Sequence, residues 1–266
     1  MPVDWMDTSE LPFDALLLLE RVQLSWFPGW VPERDLAIAL RAHPTVAWYL
    51  RTKCPEIAGW VDGIVDGIPA EHTDASADPT SVRDAERSVL RSITDLLVYA
   101  IDPSIYDTQP FLGWDSRELT ELVDFAGKRV IDVGCGTGRL TFAVADIAET
   151  VFAVDPVANL RRYVKEKAAK RGLSNVFVVD GLITDLPFPD GFADVTMGGH
   201  VFGDDPDDEL AELQRVTRAG GTVILCPGND DVDDDRHALL TAAGFSWARF
   251  EEPTDGMKRK YWRTLA

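Results

Sequence analysis

The stretch Lys128–Thr141, KRVIDVGCGTGRLT, decides the fold. Its apolar run, Val130, Ile131 and Val133, is interrupted by Asp132, and three glycines follow at alternate positions, Gly134, Gly136 and Gly138. Leu140, Phe142, Ala143, Val144 and Ile147 then recur at helical spacing. The order is strand, glycine loop, then a helix starting near Thr137. Glycine permits positive φ and lets a ligand approach main-chain atoms that a Cβ would shield. A helix opening there points free N–H groups and the positive end of its dipole into the same crevice.

The spacing separates two ligand classes. A loop that cradles a dinucleotide diphosphate reads G-x-G-x-x-G. Here the third glycine comes one residue earlier, and Arg139 stands where that pattern wants glycine. Asp132, two positions before Gly134, is a poor neighbour for a diphosphate and suits a ligand carrying an ammonium group. NAD is the rival ligand, and a βα turn that binds nothing is the plain alternative. In D-V-G-C-G-T-G the chain resembles motif I of the class I S-adenosylmethionine-dependent methyltransferases. The resemblance implies S-adenosylmethionine as cofactor, with Asp132, Gly134, Cys135, Gly136 and Gly138 around it.

From Asp115 onward strands and helices alternate. Strands are expected at Thr150–Val154, Asn175–Val179, Phe192–Met197 and Thr222–Cys226, with helices at Asn159–Arg171, Asp207–Arg218 and Asp235–Ala243. Two closing strands, Phe245–Glu251 and Met257–Thr264, flank the turn Pro253-Thr254-Asp255-Gly256. Such alternation implies an α/β fold, a doubly wound and mostly parallel sheet covered on both faces, with an antiparallel edge from the closing hairpin. The resemblance implies seven strands, Rossmann-like. Ligands of such sheets bind beyond the carboxyl ends of the strands, where strand order reverses.

Asp155 ends the second strand, seventeen positions beyond Gly138, where a carboxylate can accept both ribose hydroxyls. The alternative is a helix cap, with Pro156 in the first turn. The run L-P-F-P-D-G-F-A-D-V, Leu186–Val195, resembles the segment before the fourth strand in the ubiquinone- and menaquinone-type methyltransferases. In that group an Asp or Asn five residues before the first proline holds the adenine amino group; here that position is Leu182. Adenine then falls to Asp180, Gly181, the backbone of Leu182 and Ile183, or Thr184. His200, in Met197–Asp204, stands where that group places a His or aromatic beneath the sulfonium. It has three readings: a contact to the cofactor, a general base towards the acceptor, or a loop cap. Glu212–Gly221 matches the helix and turn before the fifth strand of the same group. No N-P-P-Y-type sequence follows the fourth strand, which speaks against methylation of exocyclic base amines.

Residues 1–114 read differently. Helical stretches are expected at Phe13–Leu24, Asp35–Ala42, Val46–Arg51, Ile57–Ile68 and Val82–Tyr99, with an exposed loop at Ile68–Ser81. Six of the eight tryptophans lie here: Trp5, Trp26, Trp30, Trp48, Trp60 and Trp114. This part is expected to be a helical cap that shapes the acceptor pocket or only completes the core, ahead of a cofactor-binding domain at 115–266. Tyr106, Phe111 and Trp114 could reach the crevice, or be ordinary core aromatics.

The net charge of −19 argues against nucleic acid and anionic membrane as partners, because both draw on Lys and Arg. It favours a small-molecule substrate or, for a protein methyltransferase, a basic partner; a catalytically silent cofactor-binding protein is the remaining alternative. The acidic runs Asp204–Glu209 and Asp230–Asp235 read as solvated loops and helix starts, and no metal is expected. Three cysteines without C-x-x-C spacing indicate neither disulfides nor zinc, as suits a reducing cytoplasm. MPVDWMDTSE lacks the basic start of a signal peptide, and Leu16–Leu19 is too short to span a bilayer.

Overall fold

A computed structural model describes residues 5–67 and 79–266 and divides into two units, Met1–Tyr106 and Asp107–Ala266. The expectation of a loop at 68–78 lies outside the described residues. Pro79–Ser81, expected in that loop, instead begin a helix.

The first unit is helical: α1 (Arg21–Ser25), α2 (Glu33–Ala42), α3 (Pro44–Lys53), α4 (Ala58–Asp66), α5 (Pro79–Ser92) and α6 (Thr94–Ile101). The single helix expected over Phe13–Leu24 is a 3-10 segment, Phe13–Leu18, followed by α1. The break falls where Glu20 caps α1 and its N–H donates to Gln23 Oε1 at 3.0 Å, while Gln23 Nε2 donates to the Leu96 carbonyl at 3.0 Å. The helix expected over Val82–Tyr99 is also two, parted at Ile93. There Thr94 Oγ1 donates to the Arg91 carbonyl at 2.8 Å and competes with the helical ladder. Phe13, Leu16, Leu19, Leu24, Leu36, Leu40, Leu50, Val89 and Ile93 form one closed core.

Two short helices, α7 (Pro103–Asp107) and α8 (Arg117–Thr120), lead into the second unit. Its strands are β1 (Arg129–Val133), β2 (Thr150–Val154), β3 (Val176–Val179), β4 (Ala193–Gly198), β5 (Thr217–Asp230), β6 (Ser246–Glu252) and β7 (Gly256–Thr264). Between them run α9 (Arg139–Val144), α10 (Ala158–Lys170), α11 (Pro206–Val216) and α12 (Asp235–Ala242). The sheet order is β3-β2-β1-β4-β5-β7-β6, parallel except for β7. This is the Rossmann-like seven-stranded sheet expected. β1, β4 and the centre of β5 are buried on both faces, which is why they read as apolar runs rather than alternations. β5 is much longer than the five residues expected. Residues 222–225 pair with β4 on one side and β7 on the other, Thr217 pairs with β4 alone, and Asn229 and Asp230 with β7 alone, so Gly220 and Gly221 lie inside the strand and not at a helix end.

The order reverses between β2-β1 and β4-β5. Val133, the last residue of β1, pairs with Val154 of β2 and with Gly198 of β4. The crevice such sheets use for ligands therefore opens at Gly134, Asp155 and Gly199.

Candidate functional site

The glycine loop is fastened by its own chain. Gly134 has φ +62°, and a Cβ there would stand 2.2 Å from Val201 Cγ1. Gly138 has φ +87°, with Phe142 Cε2 only 2.5 Å from the same construction. Beside these two glycines the space a Cβ would need is taken by side chains of the protein itself, so both are required for packing. The Cys135 N–H donates to the Val154 carbonyl at 2.9 Å, and its own carbonyl accepts from the Gly138 N–H at 2.7 Å. Its thiol packs with Ala153 and Val164, and burial raises it well above the ordinary range. Cys135 shapes the loop and offers a ligand little.

Asp132 is buried beneath the loop. Its Oδ2 accepts from the Thr141 N–H at 2.8 Å and the Thr141 hydroxyl at 2.5 Å. Burial pushes the carboxyl up to about 7 against those two bonds. The sequence reading aimed this acid at an ammonium group; the structure uses it to hold the first turn of α9. Asp155 is 4% exposed at the tip of β2. Its Oδ2 accepts from the Gly136 N–H at 3.0 Å and its Oδ1 from the Val157 N–H at 2.8 Å. Burial raises it to about 6, with those bonds working the other way. Each oxygen keeps a second lone pair. Pro156 sits half-buried in the bend, and α10 begins only at Ala158, so Asp155 closes a turn and does not cap the helix itself.

Arg161, which the sequence reading passed over, donates to the Asp155 carbonyl at 2.7 Å and to Asp180 Oδ1 at 2.9 Å. It ties the tips of β2 and β3 together, and one oxygen of Asp180 is already engaged. A Cβ on Gly181 would lie 2.9 Å from both Pro187 and Val154. Leu182 and Asp185 exchange backbone bonds of 3.3 and 3.0 Å. The Leu182 side chain is exposed, and Ile183 packs on the core below.

His200 follows β4 with φ +58°, a left-handed conformation that costs a side-chain residue roughly 1 kcal/mol. Its N–H donates to the Pro227 carbonyl at 3.0 Å. Its Nε2 lies 2.9 Å from Glu252 Oε1, and the Glu252 side chain is wholly buried. Glu252 Oε2 has no hydrogen-bond partner and stands 3.8 Å from Lys258 Nζ. The Phe111 ring meets the imidazole edge-on at 6.2 Å. Glu252 lies fifty-two residues from His200 and carried no sequence signal.

Trp114 is core, packed on Phe250 at 5.6 Å with the Arg139 guanidinium 4.2 Å above its ring. Arg139 also donates to the Leu112 carbonyl at 2.7 Å and to Ser116 Oγ at 3.0 Å, so its charge is committed to the 112–116 segment. Tyr106 stacks edge-on with Trp5 and Tyr99 in the first unit. A cavity of about 390 Å³ opens beside α9, lined by Asp107, Arg139, Phe142 and Lys167 among others; Asp155, Asp180 and His200 are not in its walls. Lys167 there is spent on both Asp107 oxygens at 2.7 Å. The buried carboxyl groups Asp132 and Asp155 lie at the strand tips and not in this cavity's walls.

The acidic runs are largely exposed and open α11 and α12, as expected, but several of their members are also engaged. Glu209, buried, accepts from the N–H groups of Gly203, Asp204 and Asp205 at 2.6, 3.1 and 3.0 Å. In the second run Asp230 pairs with Lys258, Asp231 with Arg249 and Arg259, and Asp233 with Arg259. Asp234 caps α12 through the His237 N–H at 2.9 Å. Among the described residues no cluster of three metal-ligating side chains occurs, and none of their helices is long and apolar enough to cross a membrane.

A mostly parallel sheet with this order, a glycine loop after β1 and an acid ending β2 are the features that the resemblance to the class I methyltransferases implies. Residues 131–225 match the family described as a methyltransferase domain. The second unit therefore holds a methyltransferase domain of the S-adenosylmethionine-dependent class, and S-adenosylmethionine is its cofactor. An uncharacterized methyltransferase of Geobacillus thermodenitrificans is 29% identical over 168 residues, 60% of this chain and 74% of the relative. A demethylmenaquinone methyltransferase of Geobacillus stearothermophilus is 31% identical over 126 residues, 46% of this chain and 54% of the relative. Among solved structures, a methyltransferase from Aquifex aeolicus overlays with TM-score 0.48 at 21% identity, covering 61% of this chain and 97% of that one.

Proposed function

We propose that the protein transfers the methyl group of S-adenosylmethionine to a small-molecule acceptor, with Asp155 holding the cofactor's ribose. The observation that carries this is the Asp155 carboxylate, buried at the tip of β2 and joined to the glycine loop through the Gly136 N–H. Its remaining lone pairs accept two vicinal hydroxyls. Asp180, Gly181 and Ile183 border the place for adenine, with Ile183 supplying the apolar face. The donor set fits the group. Asp132 and Asp155 are raised to about 7 and about 6, so a cation placed near them relieves burial of negative charge. Arg139, which follows the last glycine of the loop, is committed to the 112–116 segment, and Arg161 is committed to the Asp155 carbonyl and Asp180, so neither is offered to a diphosphate. When bound, the cofactor supplies an electrophilic methyl carbon; the protein's part is to orient the reactants and exclude water. A small acceptor agrees with the name of the demethylmenaquinone methyltransferases among the relatives.

Calorimetric titration with S-adenosylhomocysteine tests the assignment. Wild-type protein should bind, and Asp155→Ala should weaken binding on the order of a hundredfold, as expected for losing charge-assisted hydrogen bonds of about 1.5–3 kcal/mol. A wild-type protein that ignores the ligand but is stabilised by NAD would defeat the reading.

A further inference from the structure

We propose that His200 and Glu252 act as a dyad that takes a proton from the acceptor, which makes the acceptor a protic nucleophile, a hydroxyl or N–H compound. This rests on the methyl-transfer reading above and adds to it the chemistry of the second substrate.

Position comes first. His200 stands two residues beyond Gly198, which pairs with the last residue of β1. Its neighbour Val201 fills the space beside Gly134, so the two loops abut at the carboxyl edge of the sheet. Orientation is the second ground. The left-handed backbone, the bond to Pro227 and the edge of Phe111 fix where the ring points. The side chain remains 34% exposed, so a substrate can reach it. The partner is the third. A carboxylate is expensive to bury, and Glu252 is buried completely at the end of β6 with Oε1 on Nε2. In the dyad Glu252 is the acceptor, so that Nε2 carries the hydrogen and Nδ1 keeps its lone pair, the tautomer that the experiment below reads. A histidine serving only as a loop cap has no need of that second group. Lys258, itself held by Asp255 at 2.6 Å and Asp230 at 2.5 Å, lies 3.8 Å from Glu252 Oε2 and limits the charge left unbalanced there.

The transfer balances. The acceptor heteroatom forms its new bond to the methyl carbon and gives its proton to Nδ1. The electron pair of the broken carbon–sulfur bond stays on sulfur. One positive charge thus leaves the donor and appears on the imidazole, beside Glu252. Glu252 touches neither reactant and is a positioning residue.

The test uses the full chain labelled with ¹⁵N-histidine, with the His200 signal assigned through His200→Asn among the four histidines. Ring ¹⁵N shifts should show hydrogen on Nε2 and a bare Nδ1 in the resting protein. Glu252→Leu, which removes the acceptor, should abolish the preference for hydrogen on Nε2 so that both tautomers are seen, while S-adenosylhomocysteine binding changes less than about twofold. With S-adenosylhomocysteine present, phenol at millimolar concentration should shift Nδ1 towards a hydrogen-bonded value. Hydrogen on Nδ1 in the wild type, or an Nδ1 that phenol leaves unmoved, overturns the dyad. Loss of S-adenosylhomocysteine binding by the wild type would instead sink the methyl-transfer reading, and the tautomer is read independently of it.

Discussion

At the tips of β1 and β2, Asp132 and Asp155 are buried against backbone N–H groups and the Thr141 hydroxyl, and Arg161 reaches Asp155 only through its carbonyl. At the β5-β7-β6 edge, Asp230, Asp231 and Asp255 rest on Lys258 and Arg259. The outcomes are opposite. Burial raises the first pair to about 7 and about 6. Hydrogen bonds from Arg249 and Arg259 lower Asp231, and a hydrogen bond from Lys258 lowers Asp255. One sheet therefore carries carboxylates that oppose folding when ionised and others that favour it. The opposing pair lies where a cationic ligand is expected, so binding can relieve it; the favouring group holds the hairpin.

The largest effect should come from the hairpin. Lys258→Met removes a cation whose side chain is 7% exposed and leaves the buried Glu252 between His200 and the Asp255 carboxyl. Breaking such a pair should destabilise by about 3 kcal/mol and lower Tm by roughly 6–12 °C in thermal unfolding. An unchanged Tm would erase the contrast between the two regions.

Asp132→Asn should do the reverse. A carboxyl raised from 3.8 to about 7 keeps in the folded state a proton that the unfolded chain has already lost between those values. Stability therefore falls as pH rises through that window, and the full penalty is present above about 7. The amide oxygen can still accept from Thr141. Urea unfolding at pH 8 should show a gain on the order of 1–2 kcal/mol for the variant, shrinking towards pH 4. The paired carboxylates run the other way: their stabilisation is present above the unfolded value of 3.8 and is lost as pH falls below it.

A subtler signature is proton release. A cation bound near Asp132 and Asp155 lowers both, so at pH 6.5 S-adenosylmethionine should release a fraction of a proton on binding. The enthalpy measured in buffers of different ionisation heat would then differ, and more than for S-adenosylhomocysteine, which lacks the sulfonium charge. The smallest effect belongs to Arg249→Ala. Its side chain is 52% exposed, and Asp231 keeps Arg259, so stability should change by less than about 0.5 kcal/mol.

The sheet, its point of order reversal and the place of Asp155 at the end of β2 were legible because they are written locally: apolar runs, a glycine loop, an acid at a strand end. The breaks at Glu20 and Ile93 were not, because hydrophobic spacing continues across them while side-chain hydrogen bonds end the helices. Asp132 was assigned outward because the sequence shows an acid beside glycines but not Thr141, nine residues on, turning back to it. Glu252 and Arg161 were missed for one reason. Each acquires its partner through strand register or a helix turn closing on a strand tip, and neither relation has a fixed spacing.

The outer strands of the sheet also differ from its middle. β3, at one rim, is four residues long, and β6, at the other, sets Trp247, Arg249 and Glu251 towards solvent. Short or charged borders give a second copy few free ladder groups to zip onto. A domain with its ligand crevice at the centre of the sheet can therefore leave both margins uncovered without closing them into a barrel.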